Sequence, residues 1–514
     1  MTEEGSRKRK SSGVNGIGVD DEQDISTSCP YLDTIQRSLL DFDFEPACSV
    51  SMQTGPHIYG CLVCGKYFRG RGPQTPAYTH SVEESHFVFV HLSKGTFHCL
   101  PDDYQVKDSS LQDISAALRP TFSPLQVATI DSSTDLPRDL FGRRYLPGFV
   151  GLNNLNKTDC VNAVVQALAH VRPLRDFFLR QDETQAWATA VAANNKKSKT
   201  ATPSSHRLSQ HVAQCFGQVV RRLWSDKRFK SHVDPHMLVQ AITAASKTKY
   251  QVGQQAEAGE FITWFLHQLH VGTGGTRKPG SSIVHKVFQG KVRVTTRQAK
   301  KQKAVDEEQD RDERAGSDNE YESETAKDTA RQGMVVEETT TDTRFLQLTL
   351  DIPEKPLFRD EDGGLVIPQE PLVNVLKKFD GVTLSDAIHQ GSSQRKFYKL
   401  LKLPNYLILH LARFTTNRYS REKNPTIVAF PVKNLDLSDY VTTKESGGKP
   451  KLPTETEIQA MSVSYDCRTA TSQTAANYYD YSANVRVSFT LSFRSRNSRP
   501  CLPNTDAATL VTRR

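Results

Sequence analysis

Two stretches of this chain carry apolar residues at helical spacing. Val161, Val164, Val165 and Leu168 fall at i, i+3, i+4 and i+7, which predicts a helix opening near Asp159 with one face turned to a core. Trp264, Phe265 and Leu269 follow Phe261 at the same spacing and predict a second core-facing helix. Other stretches have no apolar period at all. Residues 194–206 are rich in Lys, Ser and Thr, and residues 444–476 in Ser, Thr, Gly and Pro. Residues 300–343 pass from basic to strongly acidic through Asp306, Glu307, Glu308, Asp310, Asp312 and Glu313. All three read as solvated insertions, because such segments bury too little apolar surface to offset the entropy of ordering. Residues 1–27 form a polar leader that reads as disordered. No internal repeat is visible.

Composition narrows the classes. At 514 residues the chain can hold two to four domains by length. No apolar run is long enough to cross a membrane, and no charged-then-apolar signal opens the sequence. Nine cysteines are scattered without a disulfide-like framework, which fits a reducing, intracellular setting. The 66 basic and 58 acidic residues leave a net charge of +8, a mild excess compatible with ribonucleoprotein surroundings. Arg7-Lys8-Arg9-Lys10 has the form of a nuclear import signal, and runs this short also arise by chance.

The sharpest chemistry is Cys61-x2-Cys64 followed by His80-x5-His86. Two thiolates and two imidazoles in a short segment are the donor set of a closed tetrahedral structural zinc site. The alternative is four free side chains that happen to lie close in sequence. Cys29, Cys48 and Cys99 fall outside this pattern; they read as reduced core thiols, with a second metal as the alternative.

Around Asp159 the chain reads Gly151-Leu152-Asn153-Asn154-Leu155-Asn156-Lys157-Thr158-Asp159-Cys160-Val161-Asn162. This stretch resembles the nucleophile box of the ubiquitin-specific proteases, G-L-x-N-L-G-N-T-C-Y-x-N, matching at Gly151, Leu152, Asn154, Leu155, Thr158 and Asn162. The resemblance implies a cysteine nucleophile where Asp159 stands and an oxyanion-hole donor at Asn154. A carboxylate attacking a peptide carbonyl would form a mixed anhydride, so Asp159 is a poor nucleophile. It suits a helix start instead, as an N-cap, worth about 1 kcal/mol with its charge. Cys160 is the nearby substitute. One residue along a helix turns a side chain by roughly 100°, so Cys160 is expected to face away from the cleft as a buried structural cysteine.

Further boxes carry the same resemblance. Gln255-Ala256-Glu257-Ala258-Gly259-Glu260-Phe261 is similar to the family's Q-Q-D-A-x-E-F, and Leu403 to Phe414 to L-P-x-x-L-x-x-H-L-K-R-F, a central palm strand with His410 as a packed structural histidine. The histidine box falls on Tyr479 to Val487, with Val487 at the base position. From Val485 the chain carries six arginines, one acid and no family pattern, and reads as an atypical tail on an incomplete protease fold. The fingers region between Phe288 and Leu348 has no cysteine, since none occurs between Cys215 and Cys467, so fingers without zinc are implied.

The Cys61 segment resembles the ubiquitin-protease-type zinc finger, whose further metal positions fall on Tyr31, Ser51, Arg69, Pro76 and Asp102 here. None of these suits structural zinc, so one ion is expected. Some such fingers capture the carboxylate end of ubiquitin with an arginine and aromatic residues. Arg71 falls on the arginine position, while His98 and Leu100 replace aromatics, which leaves half a pocket.

The combination is similar to the spliceosomal tri-snRNP-associated branch of the family. An α+β architecture is expected: a zinc finger over 28–125, a papain-like thumb, palm and fingers domain over 140–484, and a tail over 485–514. The resemblance implies a nuclear, non-catalytic scaffold in pre-mRNA splicing that binds tri-snRNP proteins, without proven RNA contact. A cysteine-dependent deubiquitinase and a ubiquitin-binding module are the alternatives.

Overall fold

The computed structural model describes residues 25–26, 29–133, 135–180, 203–301, 334–353, 367–389, 392–416, 421–431, 435–441, 462–463 and 487–488. Its contacts divide the chain into two units. The first gathers Met1–Phe122, Ala128–Gly151 and Arg221–Met237, and the second holds Ser123–Val127, Leu152–Val220 and Leu238–Arg514. The sequence reading assigned all of 140–484 to the protease-like domain; by contacts, residues 140–151 and 221–237 group with the finger.

In the first unit a six-stranded sheet runs in the order β1 (Ile25–Ser26), β6 (Tyr104–Val106), β5 (Phe97–Cys99), β4 (Val88–His91), β2 (Ile58–Cys61), β3 (Tyr67–Arg69). Its central strands β2 and β4 are buried at every position, so they read as continuous apolar runs, not alternating ones. Both faces are therefore covered. One apolar cluster gathers Ile58, Val88, Val90, Leu111 and Ile114, and a second gathers Tyr59, Phe68, Phe89 and Leu100.

The Asp41-Phe42-Asp43 stretch is held by residues far along the sequence. Asp43 pairs with Arg222 at 3.0 Å and accepts from the Asp234 amide at 3.0 Å, while Lys230 bonds Asp41 and lies 3.3 Å from Asp234. Burial raises the Asp43 carboxyl against the lowering pull of Arg222. The three carboxylates lie close enough to hold a cation, and Lys230 and Arg222 already neutralise them.

In the second unit the helical part packs through aromatic rings. Phe178, Phe216, Phe265 and Phe261 meet in sequence at centroid distances of 5.0, 5.5 and 5.4 Å. Such offset and edge contacts add to burial. The predicted helices are present as Asp159–Ala169 and Ala258–Gly272, and Val161, Val164, Val165 and Leu168 are all buried.

A four-stranded sheet places Gly290–Lys301 between Met334–Phe345 and Ser392–Lys402, with Ser385–His389 at the edge. The strand Met334–Phe345 begins inside the stretch read as a polar insertion. Thr339, Thr341 and Thr343 favour extended backbone, and the pairs Lys291–Asp342 (2.8 Å), Arg293–Asp342 (2.9 Å) and Arg297–Glu338 (2.9 Å) tie it to its neighbour. Alternating polar residues thus make an exposed strand here, where polarity alone suggested a loop. Likewise the helix Pro203–Trp224 starts within 194–206. Leu409–Ala412 pairs in parallel with Leu348–Asp351 over Leu348, Leu350, Leu372 and Leu400, and among the described residues has that single strand partner.

Candidate metal centre and the Asp159 position

The metal donors come from two local structures. After β2 the chain turns back through Cys61 to Lys66, closed by the Gly65 amide to the Cys61 carbonyl (3.0 Å) and the Cys61 amide to the Lys66 carbonyl (2.9 Å). Gly65 has φ +75°, and a Cβ there would lie 2.3 Å from the Leu39 carbonyl oxygen, so both conformation and space require glycine. The helix Pro76–Glu83 starts with proline at its first position and carries His80, and His86 follows it.

One ligand atom from each of Cys61, Cys64, His80 and His86 lies within 4.8 Å of all the others. Cys64 Sγ is 3.4 Å from His80 Nε2, and His86 Nδ1 is 3.0 Å from the same nitrogen. Phe68 stacks on the His80 ring at 4.1 Å and holds its plane. The two thiols move in opposite directions because they are hydrogen-bonded to one another. That bond lowers Cys64, aided by the Lys66 amide, His86 and His80, and raises Cys61. A thiolate and facing imidazoles in a closed, partly buried pocket fit zinc.

Among the described residues the remaining cysteines make no such group. Cys29, Cys48 and Cys99 are buried, and among the described residues none joins a set of three or more metal donors. Burial pushes the Cys99 thiol up to about 12. Tyr31 stacks near Phe87 at 4.3 Å, and Pro76 opens the helix, so these family metal positions serve packing here.

Arg71 is already engaged within the finger. It donates to His98 Nδ1 at 2.9 Å and pairs with Asp103 at 3.3 Å. With Nδ1 accepting, the His98 proton sits on Nε2, 3.0 Å from Thr96 Oγ1. Burial, then the Arg71 charge, lowers His98 to about 4. His91 and His98 are both buried, and Tyr59 meets each edge-on at 4.7 and 5.9 Å.

In the second unit the helix carrying Asp159 opens differently from the sequence expectation. Thr158 is the N-cap, and Asp159 is the first helical residue. The Thr158 hydroxyl accepts from the Leu155 amide (2.9 Å), and Asn154 Oδ1 accepts from both the Thr158 amide and its hydroxyl (3.1 Å each). Asn156 and Lys157 both take positive φ, 72° and 56°, which bends the chain into the helix one residue earlier than Asp159 would as a cap. Asp159 accepts from the Cys160 amide at 3.1 Å, keeping a carboxylate at the helix start.

Cys160 is 1 % exposed, and burial, then the Asp159 and Glu257 charges, raises its thiol to about 12. Burial of this kind disfavours the thiolate, which is the nucleophilic form of a cysteine. Val487 lies in a two-residue strand paired with Val463, and its side chain falls outside the described residues.

Sequence reading missed one pair. Glu257 Oε1 and His410 Nε2 are 3.1 Å apart, each about a quarter exposed. Gly259 permits this approach, since a Cβ there would meet the His410 ring at 2.3 Å. Both residues stood in quoted boxes, and the boxes do not say that they touch.

A papain-like frame with a ubiquitin-protease-type finger defines the class. The ubiquitin carboxyl-terminal hydrolase family model matches residues 150–484, and that of the Zn-finger in ubiquitin-hydrolases and other protein matches residues 48–111. The chain belongs to the ubiquitin carboxyl-terminal hydrolase family. It is 43 % identical to mouse ubiquitin carboxyl-terminal hydrolase 39 over 426 residues, covering 82 % of this chain and 69 % of that protein. It is 38 % identical to the probable mRNA-splicing protein ubp10 of Schizosaccharomyces pombe, over 84 % of this chain and 76 % of that one. A crystal structure of an essential yeast splicing factor shares the fold, with TM-score 0.55 and 23 % identity over 84 % of this chain and 87 % of that one.

Proposed function

We propose that this protein is a nuclear, non-catalytic scaffold of pre-mRNA splicing, built on a ubiquitin-protease frame, that binds proteins of the tri-snRNP. The observation that carries the non-catalytic part is the carboxylate of Asp159 at the nucleophile position, beside a Cys160 thiol that is 1 % exposed and raised to about 12. The splicing role is supported by the resemblance to the fission yeast mRNA-splicing protein over 84 % of the chain. Affinity purification of the tagged protein from nuclear extract, probed for tri-snRNP proteins, tests it. Recovery of those proteins is expected, and their absence under conditions that preserve the tri-snRNP overturns the reading.

In this reading one zinc ion is held by Cys61, Cys64, His80 and His86. When bound, it supplies structural cross-linking between the β2 turn and the following helix, not chemistry on a substrate. The chain's own residues arrange that site beforehand: Gly65 closes the turn, and Phe68 fixes the His80 ring.

A second reading, cysteine-dependent deubiquitination, has the name of the mouse relative in its favour. It requires Cys160 to ionise and reach a substrate. A ubiquitin probe that traps reactive cysteines is expected to leave the protein unlabelled; labelling lost in Cys160→Ser would establish the second reading instead.

A further inference from the structure

The first unit exposes a turn that is both rigid and apolar. Arg138 and Arg144 pair as an antiparallel bridge, and the chain between them folds back on the side chain of Asp139. That buried carboxylate accepts from the amides of Phe141 (3.0 Å) and Arg143 (2.8 Å). The Gly142 amide returns to the Asp139 carbonyl at 3.0 Å with φ +77°. Every element of the turn is thus specified.

Its stem is pinned to residues 223–228 of the same unit. Tyr145 Oη donates to the Ser225 carbonyl at 3.2 Å, and Arg228 lies 5.4 Å over the Tyr145 ring. The Gly148 amide donates to the Leu223 carbonyl at 2.7 Å, and a Cβ on Gly148 would strike Trp224 at 2.7 Å. A turn fixed this firmly would ordinarily direct its large apolar side chains inward. Here Phe141 is 66 % exposed at the tip, with Leu140 beside it and Leu136 and Leu146 exposed along the stem.

Leaving such side chains in water forgoes about 25 cal/mol per Å² of apolar surface, and clustered exposure of this kind marks interaction sites. Three exposed arginines surround the apolar tip: Arg138, Arg143 and Arg144. Among the described residues none of the three has an ion pair; Arg138 donates to the Gly142 carbonyl at 2.9 Å, and Arg143 lies 6.0 Å over the Phe141 ring. An aromatic anchor, aliphatic neighbours and a rim of arginine form the composition of a protein-binding hot spot.

We infer that the Arg138–Arg144 turn is a docking surface for a segment of a partner protein that combines acidic residues with large apolar side chains. No acid among the described residues neutralises these guanidinium groups, and Arg143 and Arg144 in particular select carboxylates, which a guanidinium engages in a two-pronged fashion. The leucines select an apolar partner. Phosphates would also attract the arginines, and a base could stack on Phe141, but Leu136, Leu140 and Leu146 offer no stacking face for nucleic acid. The inference goes beyond the scaffold reading and stands whether or not the cleft is inert.

The test uses the full-length tagged protein in its cellular complexes, with the photocrosslinking residue p-benzoylphenylalanine in place of Phe141. A parallel chain carries it at Met52, an exposed position elsewhere in the unit. Expected is a crosslink from position 141, mapped by mass spectrometry to another protein's segment rich in Asp or Glu and in Leu, Ile or Phe. Combined Arg143→Glu and Arg144→Glu should reduce its yield at least about tenfold, the loss typical of removing an interface anchor, with the thermal melt unchanged. Crosslinks to RNA, to this chain itself or to a basic segment overturn the inference. So does a yield no higher than from position 52, or one that survives charge reversal.

Discussion

The finger and the cleft are both family sites, and they differ in what they have kept. In the finger the four candidate donors lie together, and the backbone supports them: Gly65 at φ +75°, proline opening the His80 helix, Phe68 stacked on His80. In the second unit the supports are in place, and the proposed loss lies in the reacting groups, with Asp159 at the position of the family's cysteine. Asn154 still bonds Thr158, the helix Asp159–Ala169 still packs Val161, Val164, Val165 and Leu168, and Gly259 still admits His410. A frame and its chemistry are separable, because packing depends on shape and apolar area while reactivity depends on one or two atoms. On the proposed reading, loss of the second leaves the first stable.

The largest effect that could break this contrast lies in the finger. Cys64→Ser or His80→Ala removes a donor from the set of four, and metal binding supplies folding free energy of the order of 10 kcal/mol in such small domains. The finger should lose its zinc and its cooperative melt. A variant that retains a normal melt and releases no zinc would show that the four residues are not ligands.

A smaller loss is expected in the second unit's aromatic core. Phe265 is fully buried between Phe216 and Phe261, so Phe265→Ala should cost about 3–5 kcal/mol. The urea midpoint should fall while zinc content stays constant. Simultaneous zinc loss would mean that cleft frame and finger are not separable in the way argued above.

These two sites also mark how much was legible in the sequence. The four candidate donors could be singled out because their spacing is short and local, and the helices because four apolar residues repeat with the helical period. Asp159 was legible as a departure only against a known pattern; its place in the first turn, after the Thr158 cap, was not, since positive φ at Asn156 and Lys157 leaves no periodic trace. The contacts of Asp41 and Asp43 with Arg222, Lys230 and Asp234 were hidden by sequence separation, as was the pairing of Glu257 with His410. Polar strands such as Met334–Phe345 were hidden for another reason: cross-strand ion pairs, not apolar alternation, hold them.

Acid should act on the second unit through His270. Burial, then the neighbouring His285 stacked at 3.7 Å, lowers its pKa from 6.5 to about 4. The folded state therefore favours the neutral ring, hydrogen-bonded to Ser282 at 2.7 Å. Its contribution to stability is fully present above pH 6.5 and is lost as pH falls from there towards 4. Urea midpoints across this range should decline less steeply in His270→Gln than in the natural protein. Equal slopes would place the acid sensitivity elsewhere.

The smallest effect is at Asp159, and it bears most directly on the contrast. Its carboxylate lies in the first turn and accepts from the Cys160 amide at 3.1 Å, so it offsets the positive end of the helix. Asp159→Asn should cost only about 0.3–1 kcal/mol, read as a small shift in the urea midpoint, and Asp159→Lys somewhat more. Asp159→Cys restores the family's sulfur at that position but not a base at Val487, so the ubiquitin probe should still fail to label it. Labelling of Asp159→Cys, with none of the natural protein, would mean that one side chain alone separates this site from an active one. The frame would then be competent apart from a single substitution, and this site would resemble the finger far more than its present residues suggest.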